Sequence, residues 1–381
     1  MHLLQARKLA VLATAGYSLA HPGVHEPNSL SDMAKRDFLH NARSSLDLAC
    51  AESLESRGIK ARAEARRAAL FDMHQKRSIS LEARDTDKVL NTSHYSDLHV
   101  TPQTSTDDLF ARDPVCIVAP EGEIGPFWVK GELIRHDIRD GQEGIPMYIE
   151  GQFIDIESCN PVQDLYWDVW HANATGQYSG VQSSMNGNGD DASNLDKMFF
   201  RGIQKTDSDG VAGFLSMFPG WYDGRATHAH VVAHLGATVL PNNTLTSGTV
   251  SHIGQLFWDQ ALVDEVQAIY PYTLNTNEVT QNADDHVVSV ETEDSDSDPF
   301  FEYALLGDSL EDGILAWVTI GVNVSASYDS AVSYAASLTS SGGVTNEDSS
   351  SGGGEMPSGS GVPSGSGVPS GSGVPSGAPS A

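Results

Sequence analysis

A mainly β chain, an antiparallel sandwich with a helical hairpin before it and a disordered tail after it, is what three features of this 381-residue sequence predict. From residue 116 onward, short runs of alternating, β-branched and aromatic residues are separated by turn residues, the pattern of half-buried strands. An Ala-, Leu-, Arg- and Glu-rich stretch precedes them, and a Gly/Ser/Pro repeat follows.

Residues 1–20 read as a secretory signal peptide. Arg7 and Lys8 precede the apolar run Leu9 to Leu19, and Ser18 and Ala20 stand at the minus-three and minus-one positions of a cleavage site. The run is shorter than the roughly 20 apolar residues a bilayer span needs. The expectation is a secreted, extracellular protein starting near His21, with sequons at Asn91, Asn173, Asn242 and Asn323 for glycosylation. Residues 21–115 form an N-terminal region in which 31–77 carry two helical patterns with Gly58 at the C-cap between them, and 78–115 are an extended connector. The hairpin is read as either an arm for docking or homodimerisation or a layer covering the main domain.

Residues 116–335 form the sandwich. Its strands are expected in MYIEGQFIDI, LYWDVWHA, GFLSMF, HAHVVAHL, SHIGQLFW and LAWVTIGVNVSA. About 220 residues are ample for one core. Residues 336–381 are the tail, with PSGSGV three times in succession from Pro357 to Val374, a composition unable to bury enough apolar surface to offset chain entropy. No hydrophobic segment follows it, so the lipid-anchor pattern is missing.

Charge narrows the function. Residues 1–112 hold 15 Lys+Arg against 14 Asp+Glu, whereas residues 113–381 hold 7 against 37. Such a surface repels nucleic acid and anionic membranes, and neither is expected as a partner. Cys50, Cys116 and Cys159 permit one disulfide and leave one thiol over, with the pairing open.

The chemistry is concentrated in GWYDGRATHAH, residues 220–230. Alternate residues of a strand point to one face, so His228 and His230 project together, with His234 further along. Alone, an H-x-H pair is as readily structural as metal-binding. Tyr222 six residues earlier, and Tyr178 at the end of YWDVWHANATGQYSG, change the reading. Phenolate is a hard anionic donor whose ordinary pKa near 10 must fall far at neutral pH, and a trivalent cation supplies that stabilisation. The set suits iron(III) better than zinc or copper(I).

The order W-H-A-N, G-x-Y-S, F-P-G-W-Y, R-x-x-H-x-H resembles the intradiol ring-cleavage dioxygenases, specifically their secreted fungal group. The likeness runs from about Cys116 to Ala326 and is strongest from Ala119 to Trp258. It implies a non-haem Fe(3+) site ligated by Tyr178, Tyr222, His228 and His230. The partners it implies are a small aromatic diol, bound through both hydroxyls, and O2. In this scheme Tyr222 leaves the metal as substrate enters and acts as a base, while Arg225 and Gln255 line the substrate pocket. The product is a cis,cis-muconate-type dicarboxylic acid. The residues read alone give Arg225 another role, a salt bridge to a carboxylate such as Asp223, and Gln255 that of a buried structural amide.

Departures from the family pattern fall in the pocket. The G-P-aromatic-aromatic element reads Gly125, Pro126, Phe127, Trp128, and Ala172 stands where secreted relatives often carry cysteine. Trp170, His171, Asn173 and Trp221 are read as wall and core, and His21 and His25 have no third partner for a copper site. The acidic stretch NADDHVVSVETEDSDSDPFFEY lacks the ligand spacing of a calcium loop and reads as solvated. Two rival functions remain: a non-catalytic secreted sandwich that binds a metal or a phenolic ligand, and a surface protein working through its arm and tail.

Overall fold

The computed structural model describes residues 58, 59, 62, 89–96, 124–246, 248–292, 298–329 and 332–346. The signal peptide, most of the helical arm, Cys50, Cys116 and the PSGSGV repeats lie outside them. Gly58 has φ 61°, the left-handed backbone expected of a cap, but the hairpin around it is not among the described residues. Cys159 is disulfide-bonded, and its partner is likewise outside.

Eleven strands are described: β1 (Val129–Lys130), β2 (Pro146–Asp155), β3 (Tyr166–His171), β4 (Arg201–Lys205), β5 (Val211–Met217), β6 (His228–Leu235), β7 (Thr249–Phe257), β8 (Glu302–Leu305), β9 (Ile314–Val322), β10 (Ala336–Thr339) and β11 (Gly342–Thr345). Two short helices, α1 (Gln260–Val266) and α2 (His286–Thr292), follow β7. Two four-stranded sheets, ordered β5-β2-β9-β8 and β4-β3-β6-β7, form the sandwich, and β1-β10-β11 makes a third small sheet.

The six expected strands are present as β2, β3, β5, β6, β7 and β9. The expectation of purely antiparallel pairing needs correction. β2 and β9 run parallel over nine pairs, from Met147–Ile314 to Asp155–Val322, and β1 pairs β10 in parallel. Side-chain alternation reports which face a residue occupies, not the direction of the neighbouring strand. The tail boundary at 336 is corrected too, because β10 and β11 extend the ordered body to Asn346. Ala336 is buried, and the Asn346 amide donates to the Ala335 carbonyl at 2.8 Å. A Ser/Gly-rich run resembles a linker in composition, yet here it pairs with β1.

Alternation divides β6 between two environments. Ala229, Val231 and Ala233 face the core between the sheets, with Trp167, Val169, Phe153, Phe214 and Ile320. Trp167 meets Phe153 and Phe214 edge-on at 5.5 and 5.4 Å, and each such pair is worth about 0.5–1.5 kcal/mol beyond its buried area. His228, His230 and Val232 face the other way, onto a second apolar cluster containing Phe127, Trp170, Tyr178, Val181 and Ile253. The candidate site therefore lies on the outer face of one sheet, under loops.

Candidate metal centre

Tyr178 and Tyr222 arrive on two loops that press together. In the first, Asn173 Oδ1 accepts from the backbone amides of Thr175 and Gln177 at 3.1 and 2.9 Å, turning the chain after β3. Asn186 then grips the Tyr178 backbone, accepting from its amide at 2.7 Å and donating to its carbonyl at 2.8 Å, and Asn194 donates to that carbonyl at 2.8 Å. In the second loop, a tight turn brings Tyr222 and Arg225 into a bridge. Gly220 is needed where the loops touch, since a Cβ there would stand 2.4 Å from the Ala174 carbonyl oxygen.

The two histidines come from the start of β6. The Nδ1–H of His228 donates to the Ala226 carbonyl at 2.6 Å, so Nε2 is left as the acceptor. Around that Nε2 stand Tyr222 Oη at 3.2 Å, Tyr178 Oη at 3.3 Å and His230 Nε2 at 3.1 Å. His230 lies flat on Trp170, its cross-strand neighbour, with 4.9 Å between centroids and 2° between planes. The four predicted ligands therefore converge.

The donor set fits a hard cation. Two imidazole lone pairs 3.1 Å apart repel unless a proton or a cation lies between them. Donors around one ion, at metal–ligand bonds of about 2 Å, stand at such mutual spacings. Burial pushes both phenols above their ordinary range; for Tyr178 the neighbouring Tyr222 adds to this, while Arg225 opposes it for both. Ionising both requires a stronger positive charge at the centre. Among the described residues no group of three His, Cys, Asp or Glu side chains could hold a metal ion, so the tyrosines are half of this donor set.

Arg225 and Gln255 sit beside it, both fully buried. Arg225 Nη2 donates to Gln255 Oε1 at 2.5 Å, and Gln255 lies directly across from His230 in the β6–β7 register. The carboxylate that pairs with Arg225 is Asp285, not Asp223. Arg225 Nε donates to Asp285 Oδ2 at 2.7 Å, while Asp223 accepts from the Glu278 amide. Asp285 also accepts from the amides of Ala226, Val287 and Val288. Burial works against its charge, but the Arg225 guanidinium outweighs this and holds the carboxyl down to about 2. The acidic stretch read as solvated is thus partly buried: Asp285 anchors Arg225, and Asp298 accepts a bond from His94.

The remaining sequence candidates have other roles. His171 bonds the Ala172 carbonyl and Ser216 Oγ and stacks on Phe200; burial lowers its pKa to about 4, which keeps it neutral. His234 shares the His230 face but lies against Asp168 and Trp128. Trp128 donates its indole N–H to Asp168, and Trp221 donates to the Asn277 carbonyl. Sequence reading missed Asn186, Asn194 and Asp285, and also Arg201. Arg201 is completely buried and donates to the carbonyls of Ser179 and Phe127 and to Glu132 Oε1, tying the residue after Tyr178 to the Gly125–Trp128 element.

Residues 125–240 match the family model Dioxygenase_C, described as a dioxygenase. Among solved structures, an intradiol ring-cleavage dioxygenase from Tetranychus urticae is similar at 23% identity and TM-score 0.47, over 56% of this chain and 98% of that one. The dioxygenase domain of a dioxygenase–carbohydrate-binding fusion from Streptomyces sp. SirexAA-E aligns at 20% identity and TM-score 0.34, over 55% and 97%. Catechol 1,2-dioxygenase from Pseudomonas arvilla C-1 aligns at 18% identity and TM-score 0.32, over 58% and 65%. No curated protein matches the chain. The family-model match spans the segment that supplies both tyrosines and both histidines, so this part of the chain is similar to the dioxygenases that the model describes.

Proposed function

We propose that this chain is a ferric intradiol dioxygenase that inserts both atoms of O2 between the hydroxyl-bearing carbons of a catechol-type aromatic, giving a cis,cis-muconate-type diacid. The observation that carries the reading is the convergence of Tyr178, Tyr222 and His230 on His228 Nε2. Ferric iron held by these four residues would supply a Lewis acid that takes a catechol through both oxygens and draws electron density from its ring, opening it to O2.

The tyrosines differ in how firmly they are held. Tyr178 is buried and its backbone is gripped by Asn186 and Asn194, whereas Tyr222 is half-buried on a turn. Tyr222 is therefore the ligand free to swing out and accept a substrate proton at Oη. Arg225 favours negative charge on both phenols and stands ready to stabilise charge that develops on the substrate. Secretion belongs to the same proposal, supported by the leader pattern and by the disulfide at Cys159.

The test uses protein purified from culture medium and loaded with ferric iron. A broad visible phenolate-to-iron band that moves to longer wavelength with anaerobic catechol, followed by O2 uptake, is expected. Tyr178→Phe, His228→Ala and His230→Ala should each lose the band and more than about 100-fold in turnover. A colourless protein after iron loading would sink the assignment.

A further inference from the structure

We propose that the site selects catechols without an anionic substituent, and that Asp285 enforces this by occupying Arg225. The inference rests on the ring-cleavage reading and deepens it. Arg225 is the cation beside the donor cluster, and Asp285 takes it at both Nε, 2.7 Å, and Nη2, 3.3 Å. Nη2 is also given to Gln255. The pair is buried and its charges cancel, so a carboxylate entering next to it meets Asp285 as well as Arg225.

No other described cation compensates. Beside Arg62, which is ion-paired with Asp209, Lys and Arg occupy seven described positions, all between residues 124 and 346. Arg135, Arg139, Lys197, Arg201 and Lys205 are ion-paired with Asp140, Asp137, Asp191, Glu132 and Asp164 respectively, as Arg225 is with Asp285. The seventh, Lys130, is exposed with its ammonium over the Tyr334 ring. Close to the donors the walls include Phe127 and Phe257, which offer a carboxylate nothing to replace its water. Beyond them, residues 113–381 hold 37 acidic side chains against 7 basic, a field that repels anions at a distance.

Two isosteric probes isolate charge from shape: 3,4-dihydroxybenzamide and 3,4-dihydroxybenzoate. Each is titrated anaerobically into the iron-loaded full chain, following the visible band, and then assayed for O2 uptake, with catechol as reference. The amide should bind at least about tenfold more tightly than the carboxylate, with kcat/KM in the same order. Asp285→Asn and Asp285→Ala, which release Arg225, should narrow or reverse that ratio through tighter carboxylate binding. Equal or tighter binding of the carboxylate by the wild type overturns the selectivity while leaving ring cleavage intact, and an unchanged ratio in folded, iron-retaining variants overturns the role of Asp285. Should neither variant fold, the isostere ratio in the wild type decides. A band unmoved by catechol, with no O2 uptake, would instead remove the ring-cleavage reading itself.

Discussion

At the scale of single residues, the candidate centre is shaped by small neighbours as well as by its expected ligands. Gly125 abuts the edge of the His230 ring: it has φ 72°, and a Cβ there would lie 2.6 Å from Cε1. The ring cannot tilt away cheaply, because its face is stacked on Trp170. Gly125→Ala should therefore keep the fold, by circular dichroism, and weaken ferric binding at least about tenfold in an iron titration; unchanged affinity would show that the ring has slack. Of the four expected ligands, Tyr222, His228 and His230 were legible because they are local, strand alternation pairing the two histidines; Tyr178, 50 residues from His228, was picked out by the G-x-Y-S motif of the family resemblance. Asp285 was not, since it lies 60 residues from Arg225 in a stretch whose composition suggests solvent. Nothing in spacing alone distinguishes it from Asp223, which sits beside Arg225 in sequence yet accepts a bond elsewhere.

Among the elements, β10 and β11 show what composition conceals. β10 pairs with β1, which continues directly from the Gly125–Trp128 element, and β11 pairs with β10, while Ala336 and Leu338 pack with the cluster around Phe127 and Tyr178. Truncation after Asn346 should leave the melting temperature and iron binding as in the full chain. Truncation after Ala335 uncovers that cluster and should lower the melting temperature by several degrees while loosening the metal, as followed by thermal unfolding and the visible band. Equal melting of the two truncated forms would mean that the strand pair covers nothing of consequence. Long strands of regular alternation were readable in advance. β4 and β8, with five and four residues, offer too few positions for a period to show, and the seven-residue α1 and α2 are equally short.

For the whole molecule, one buried imidazole joins three distant parts of the chain. His94 bonds Asp259, just before α1, through both its backbone amide and Nδ1, and reaches Asp298 through Nε2 at 3.1 Å. Burial alone would lower its pKa, but Asp298 and Asp259 outweigh that and raise it to about 10. The stability this group adds, on the order of a few kcal/mol, is present below its ordinary value near 6.5 and is lost as pH rises towards 10. The melting-temperature gap between wild type and His94→Gln should thus be widest near pH 6 and close on the alkaline side; a gap constant with pH would contradict the charged clasp. The two faces of β6 have a wider consequence. Its alternate residues face the core and the candidate centre separately, so substitutions that tune folding and substitutions that alter that centre fall on interleaved sets of positions.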